Sequence, residues 1–208
     1  MDRKNPSSIS LHEPPFYLRE FEDAYRYIIE EYRIAPRRIG IFIPCAVRKP
    51  YSSSPSHRLF GKIFSEVFSG TEYHVAIFGT CGALPAELEL MYPYAQYHYM
   101  LGKCSNTRIQ QDFLKIETYR LKGYLEKTRD IYDFRVAYCI GIFREAIIRA
   151  SGETGIPVTL YPTIPTIERM YNDDCPFPEG SLSMQEYIDE FRKGLLRVRD
   201  LARELRYP

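Results

Sequence analysis

Residues 39–57 read IGIFIPCAVRKPYSSSPSH, and the change of character halfway along this stretch orders everything around it. Ile39–Ile43 is short, almost wholly apolar and rich in β-branched residues, which is the pattern of a strand buried on both faces. Pro44 is expected to stop the strand, because proline has no N–H for a central ladder. A thiol (Cys45), two cations (Arg48 and Lys49), a Pro50-Tyr51 turn, the serines 52–54 and His57 follow. Open α/β sheets place their sites where a buried strand ends in a loop dense in reactive groups.

Working outward, apolar residues at three- and four-residue steps predict a helix over Phe16–Tyr32 and a second over His57–Phe68, ended by Gly70. A second buried strand, Tyr73–Phe78, leads into GTCGALPAELE, a tight loop built on Gly79, Gly82 and Pro85 with a short helix from Ala86 to Met91. Tyr94–Lys103 is aromatic and reads as an edge strand or a wall of the cleft. A long helix is expected over Ser105–Lys127, with Ile109, Phe113, Ile116, Tyr119, Leu121 and Tyr124 near its buried side. Strands Phe134–Ile140 and Pro157–Leu160 flank a helix around Phe143–Ala150. Ile164–Pro178 reads as loop. A capping box, Ser183-x-x-Glu186, predicts a last helix over Met184–Leu205, with Leu201 among its core residues. Short apolar strands alternating with amphipathic helices imply βαβ units, hence one three-layer α/β/α domain over residues 1–208 with a mainly parallel central sheet. Residues 1–15 read as a flexible lead-in.

Composition narrows the classes. The 208 residues suit one core, 45% are hydrophobic and 26% charged, and 28 basic side chains nearly cancel 27 acidic ones. No global field therefore draws the chain to nucleic acid, although a local basic face would suffice. Five cysteines without a secretion signal point to free thiols in a reducing, cytoplasmic setting. No apolar run reaches the ~20 residues of a membrane span.

Parallel neighbouring strands would bring Cys45, the Gly79–Gly82 turn and Gly141 to one sheet edge. There Arg48 and Lys49 would lower the thiol pKa, and a thiolate is a nucleophile. His57 is placed to move protons. Tyr51 and Ser54 offer hydroxyls, Gly79 and Gly82 allow close backbone approach, and Glu87 is a carboxylate that accepts from an amine or a base edge. Each has a plainer reading alone: a buried structural thiol, a solvated lysine, a helix-start histidine, turn serines, a common glycine spacing, or glutamates at a positive helix start. The chain has neither a Cys-x-x-Cys nor a His-x-x-x-His pair, so no metal site is expected, and no cofactor is implied.

Taken together these residues are more specific. Pro44-Cys45-x-x-x-Lys49-Pro50-Tyr51-x-x-Ser54-x-x-His57 resembles the signature of the archaeosine synthase catalytic domain, and Gly82-x-x-Pro85-x-Glu87-Leu88-Glu89-x-x-Tyr92-Pro93 is similar to a second segment of that family. The resemblance covers roughly residues 35–165. After Tyr97 the chain departs from it, with His98-Tyr99-Met100-Leu101-Gly102 where the family has an aspartate and a V-T-G-like turn. Family members also carry a transglycosylase-like module and an RNA-binding PUA domain, for which 208 residues leave no room.

The resemblance implies a uracil-DNA-glycosylase-like α/β/α fold. It also implies action on 7-cyano-7-deazaguanine in tRNA, whose nitrile is converted toward an amidine with lysine as nitrogen donor, and a radical-SAM lyase partner that completes archaeosine. On that reading Cys45, Lys49, His57 and Glu87 are catalytic, while Pro44, Pro50, Tyr51, Ser54, Gly79, Gly82 and Pro85 shape the substrate pocket. Two schemes remain open: attack by the Cys45 thiolate through a thioimidate, or direct amine attack on a nitrile polarised by Lys49 and His57. A different class also stands, a non-catalytic module that binds a deazaguanine or tRNA, or a subunit whose RNA-binding part lies on another chain. Base hydrolysis by a glycosylase shares only the fold and ranks last.

Overall fold

The computed structural model describes residues 14–104, 106–174 and 178–205. The flexible lead-in expected over residues 1–15 lies outside these residues except at Pro14 and Pro15. Five strands form one sheet in the order β3-β2-β1-β4-β5. Strand β1 (Ile39–Pro44) is central, with β2 (Tyr73–Phe78) and β4 (Phe134–Tyr138) parallel on either side. Strand β5 (Thr159–Tyr161) extends the parallel array, and the two-residue β3 (Leu84–Pro85) is antiparallel to β2. All residues of β1 except Pro44 are buried, as its unbroken apolar run requires.

Strand parity sorts side chains onto two faces. Phe42, Ala76, Phe78 and Ala137 share one face by register. There Phe42 meets Tyr124 of α3 (Thr107–Lys127) edge-on at 5.9 Å, and Phe78 meets Phe143 of α4 (Gly141–Thr154) at 6.4 Å. Helix α1 (Arg19–Glu30) packs on α3. On the other face Tyr138 lies edge-on to Phe60 of α2 (Pro55–Val67) and stacks on Phe191 of α6 (Gln185–Glu204) with centroids 4.1 Å apart. Two helical layers thus cover a mainly parallel sheet, the α/β architecture expected.

Several boundaries differ for identifiable reasons. The first helical pattern divides into a 3-10 turn, Pro15–Tyr17, and α1, because Leu18 is extended between them. Pro44 is the last residue of β1 rather than a stop before it, since Cys45 resumes the ladder by donating to the Phe78 carbonyl. The helix expected from Ala86 shrinks to a 3-10 turn, Ala86–Leu88, immediately after β3. Ile164–Met170, expected as loop, is helix α5, where Pro165 sits in the first turn and forfeits no hydrogen bond. The capping box does not form: Ser183 pairs with the Ser181 hydroxyl, and Met184 occupies the N-cap without a side-chain bond. Tyr94 and Tyr97 are fully buried rather than on an edge strand, while Tyr119 and Leu201 face outward.

Phe42→Ala should leave a void under β1 between Tyr124 and Tyr132 and destabilise the fold by about 3–5 kcal/mol. Chemical denaturation should show the midpoint falling with an unchanged slope.

Candidate active site

The parallel register brings the ends of β1 and β2 together. Cys45 donates its amide to the Phe78 carbonyl at 2.7 Å, so its side chain stands beside the turn that follows β2. Gly79 has φ +130°, and a Cβ there would lie 2.6 Å from the Phe143 ring and 2.9 Å from Cys45 Sγ. Only hydrogen fits between the turn and the thiol. The turn closes by a bond from the Gly82 amide to the Gly79 carbonyl at 2.8 Å, and Gly82, at φ +83°, rests against the Arg120 side chain.

Around the thiol, Thr80 Oγ1 lies 3.4 Å from Sγ. Lys49 folds back beneath its own loop, donating to the Ala46 carbonyl and to the Val47 carbonyl at 3.2 Å. Its Nζ lies 4.5 Å from the Tyr51 ring centre and 3.9 Å from that of Tyr97, whose hydroxyls share a 2.8 Å bond. A desolvated cation on aromatic faces gains about 2 kcal/mol each, which helps to hold a lysine inside. Burial nevertheless pulls the Lys49 ammonium below its ordinary value. Ser54, almost fully buried, caps α2 by accepting the His57 amide at 3.2 Å. His57 Nε2 lies 2.9 Å from the Pro44 carbonyl, which fixes the Nε2–H tautomer, and its ring stacks on Tyr51. Burial lowers the pKa of His57, so it stays neutral near pH 7.

Two thiols share this pocket. The Cys81 thiol beside it, the Lys49 charge and the Thr80 hydroxyl hold Cys45 well below the usual thiol range, against the opposing effect of burial. Burial pushes Cys81 well above that range. Cys45 is therefore the more acidic thiol of the pair, and it is half-buried rather than sealed. Arg48, Ser54, Thr80, Tyr99 and Phe143 line a cleft of about 450 Å³ with it. A second cavity of about 490 Å³, walled by Pro44, Ser56, Leu59, Phe60 and Leu182, opens on the same cysteine. The cavity at the opposite sheet edge holds Arg38–Asp133 and Arg203–Glu72 ion pairs.

The structure thus unites Cys45, Lys49, Tyr51, Ser54, His57 and Gly79, with Pro44 and Pro50 shaping the backbone between them. Gly82 and Pro85 lie behind the turn, Pro85 within β3. Glu87 is not brought to the thiol. Its carboxylate accepts from Tyr32 at 2.9 Å and meets His74 Nε2 at 3.0 Å, and His74 is the second residue of β2, at the strand end remote from Cys45. The antiparallel turn of β3 carries Glu87 back along β2, so the expected catalytic carboxylate is a strap on the sheet. Its neighbour Glu89 accepts from the amide and hydroxyl of Ser52 at 2.8 and 2.6 Å, tying the second loop to the first.

The sequence pattern does not single out Thr80, Cys81, Glu117 or Arg120 for the site, and it offers Tyr97 only as part of an aromatic edge strand or cleft wall. Glu117 had a signal: it falls midway between Phe113 and Leu121 at four-residue steps, inside an apolar stripe.

An α/β/α domain with a mainly parallel sheet and a half-buried cysteine at the sheet's carboxyl edge defines the class. Over residues 21–160 the chain matches the family described as "Domain of unknown function (DUF5591)", and it belongs to that family. It is 32% identical over 135 residues to archaeosine synthase subunit alpha of Methanosarcina acetivorans, an alignment covering 64% of this chain and 20% of that protein. It is also 39% identical over 57 residues to archaeosine synthase of Haloferax volcanii, covering 27% of this chain and 9% of that protein. The chain therefore aligns with a fifth or less of each relative's length. The crystal structure of AF0587, a protein of unknown function, superposes with a TM-score of 0.52 at 19% identity, over 82% of this chain and 48% of that one, and shares its fold. No helix among the described residues is long and apolar enough to cross a membrane.

At about pH 6, where an ordinary thiol of pKa ~8.5 is almost wholly protonated, Cys45 should react with iodoacetamide far faster than such a thiol in a model peptide. Lys49→Met removes the cation that favours the thiolate, so the alkylation midpoint should move upward. An unmoved midpoint would remove Lys49 from the activation of the thiol.

Proposed function

We propose that this chain carries the thiol-bearing catalytic unit of an archaeosine-synthase-type tRNA modification and forms an amidine on the nitrile of 7-cyano-7-deazaguanine. The supporting observation is the lowered thiol of Cys45 facing a cleft beside Lys49, in a chain whose relatives are named archaeosine synthases. A base in folded tRNA leaves its stack to enter such a cleft, where the Phe143 and Tyr99 rings and the Arg48 charge would receive it.

In the proposed reaction the Cys45 thiolate adds to the nitrile carbon and the nitrile nitrogen takes a proton, giving a thioimidate. An unprotonated amine, lysine in this reading, then adds to that carbon. Collapse expels the thiolate, and the amine nitrogen loses its proton as the amidine forms. One difficult addition becomes two easier ones. Lys49 holds the thiolate in its resting and departing states, while Tyr51 and Ser54 order the loop beneath the base. His57, neutral and tied to the Pro44 carbonyl, is the imidazole this reading assigns to the proton transfers. A radical-SAM lyase acting on the amidine adduct, and an RNA-binding part on the same or another chain, complete the proposed sequence.

Incubation with tRNA bearing the nitrile base and lysine should add the mass of lysine to that nucleoside, and Cys45→Ser should abolish the gain. A covalent protein–base adduct should appear by mass spectrometry when amine is withheld. Full turnover in Cys45→Ser without an adduct would assign direct amine attack. Salt-sensitive tRNA binding without any mass gain would make the chain a binding module, because phosphate contacts weaken steeply with salt.

A further inference from the structure

Behind the glycine turn, on the side away from the cleft, α3 presents two ionisable residues with almost no exposure, Glu117 at 0% and Arg120 at 1%. Glu117 Oε1 accepts from the Gly79 amide at 2.9 Å, and this is the amide of the residue at which a Cβ would lie 2.9 Å from the Cys45 thiol. Its Oε2 is buried without a partner. No cation lies within salt-bridge distance of it among the described residues. Arg120, one turn on, directs Nη2 to Glu22 at 3.4 Å and to the Phe16 carbonyl at 3.5 Å, leaving Nε and Nη1 unpaired.

An ionised carboxylate held in this way would be desolvated without compensation, and such groups take up a proton instead. We propose that Glu117, as an uncharged carboxyl group, is the positioning residue that holds the Gly79 turn against the Cys45 thiol.

Two consequences make the arrangement useful. The turn carries Thr80 and Cys81, both of which act on the Cys45 sulfur, so fixing the Gly79 amide fixes their distances to it. A neutral Glu117 also leaves Cys45 as the single anion of the pocket, since like charges so close oppose one another's ionisation. The groups facing Glu117 are Arg120 on its own helix, Cys45 after β1, Cys81 in the turn, Tyr25 on α1 and Tyr94 in the aromatic loop. Of these only Arg120 favours its ionised form, and burial outweighs that influence and keeps the proton on.

The inference rests on Cys45 being an activated thiol and not on the proposed tRNA reaction, so it is tested without substrate. The pH dependence of Cys45 alkylation by iodoacetamide is followed by mass spectrometry on the full chain, with Cys104 as internal reference. Glu117→Gln keeps a carbonyl for the Gly79 amide and is uncharged, so the Cys45 midpoint should stay where it is. Glu117→Leu removes the acceptor, and alkylation of Cys45 at about pH 6 should slow by about tenfold or more while Cys104 is unchanged. A midpoint that falls in Glu117→Gln would mean that an anion had been removed, and it would overturn the proposal. So would an unaltered profile in Glu117→Leu. Infrared spectra give a check independent of whether Glu117→Leu folds. At neutral pH the parent protein should show the carbonyl band of a protonated carboxyl group and Glu117→Gln should lack it; no such band in the parent would overturn the proposal.

Discussion

One backbone hydrogen bond, from the Cys45 amide to the Phe78 carbonyl, carries the in-register pairing of β1 and β2 one step past the strands. Everything chemical follows from that step. It places the thiol beside Gly79, at a distance that no residue with a Cβ could tolerate. A parallel pair delivers both strand ends to the same sheet edge, so the loop after β1 and the turn after β2 share a pocket. An antiparallel pair would have sent them to opposite ends.

The pocket is assembled from groups that are costly to bury and therefore need partners. Lys49 is held by two carbonyls and two aromatic faces, Tyr51 and Tyr97 satisfy one another, and His57 is committed to the Pro44 carbonyl. Low dielectric strengthens the attraction between the Lys49 ammonium and the Cys45 thiolate. The same burial drives the neighbouring thiol, phenols and carboxyl group toward their neutral forms. The thiol most favoured to ionise thus lies near the Lys49 ammonium, with Arg48 on the wall of the same cleft, among polar groups that burial holds toward their neutral forms.

The second loop serves the first. Glu89 holds Ser52, while Glu87, His74, Tyr32 and Tyr132 form a polar chain along β2. Two glutamates separated by one leucine thus perform different tasks, because a 3-10 turn directs them to different sides. The spacing of this segment serves the geometry of the loop as much as any chemistry on it.

The order of the elements was written in the chain: the runs 39–43, 73–78 and 134–140 are apolar but for His74 and Arg135, and strands of that kind survive only between helical layers. The thiol, the ammonium and the imidazole of one pocket were also legible, because one loop carries them all. What the sequence could not show was each contact made across the fold. Glu87 and Glu117 are equally acidic on paper; the antiparallel β3 takes the first away from the thiol, and the packing of α3 under the Gly79 turn brings the second to it. Ser183 had the spacing of a cap, yet a nearer hydroxyl claimed it. Local patterns settle which segments are buried, since periodicity is a property of neighbours along the chain. Which buried polar groups meet, and with what charge, depends on desolvation and distance, which exist only once the layers have closed.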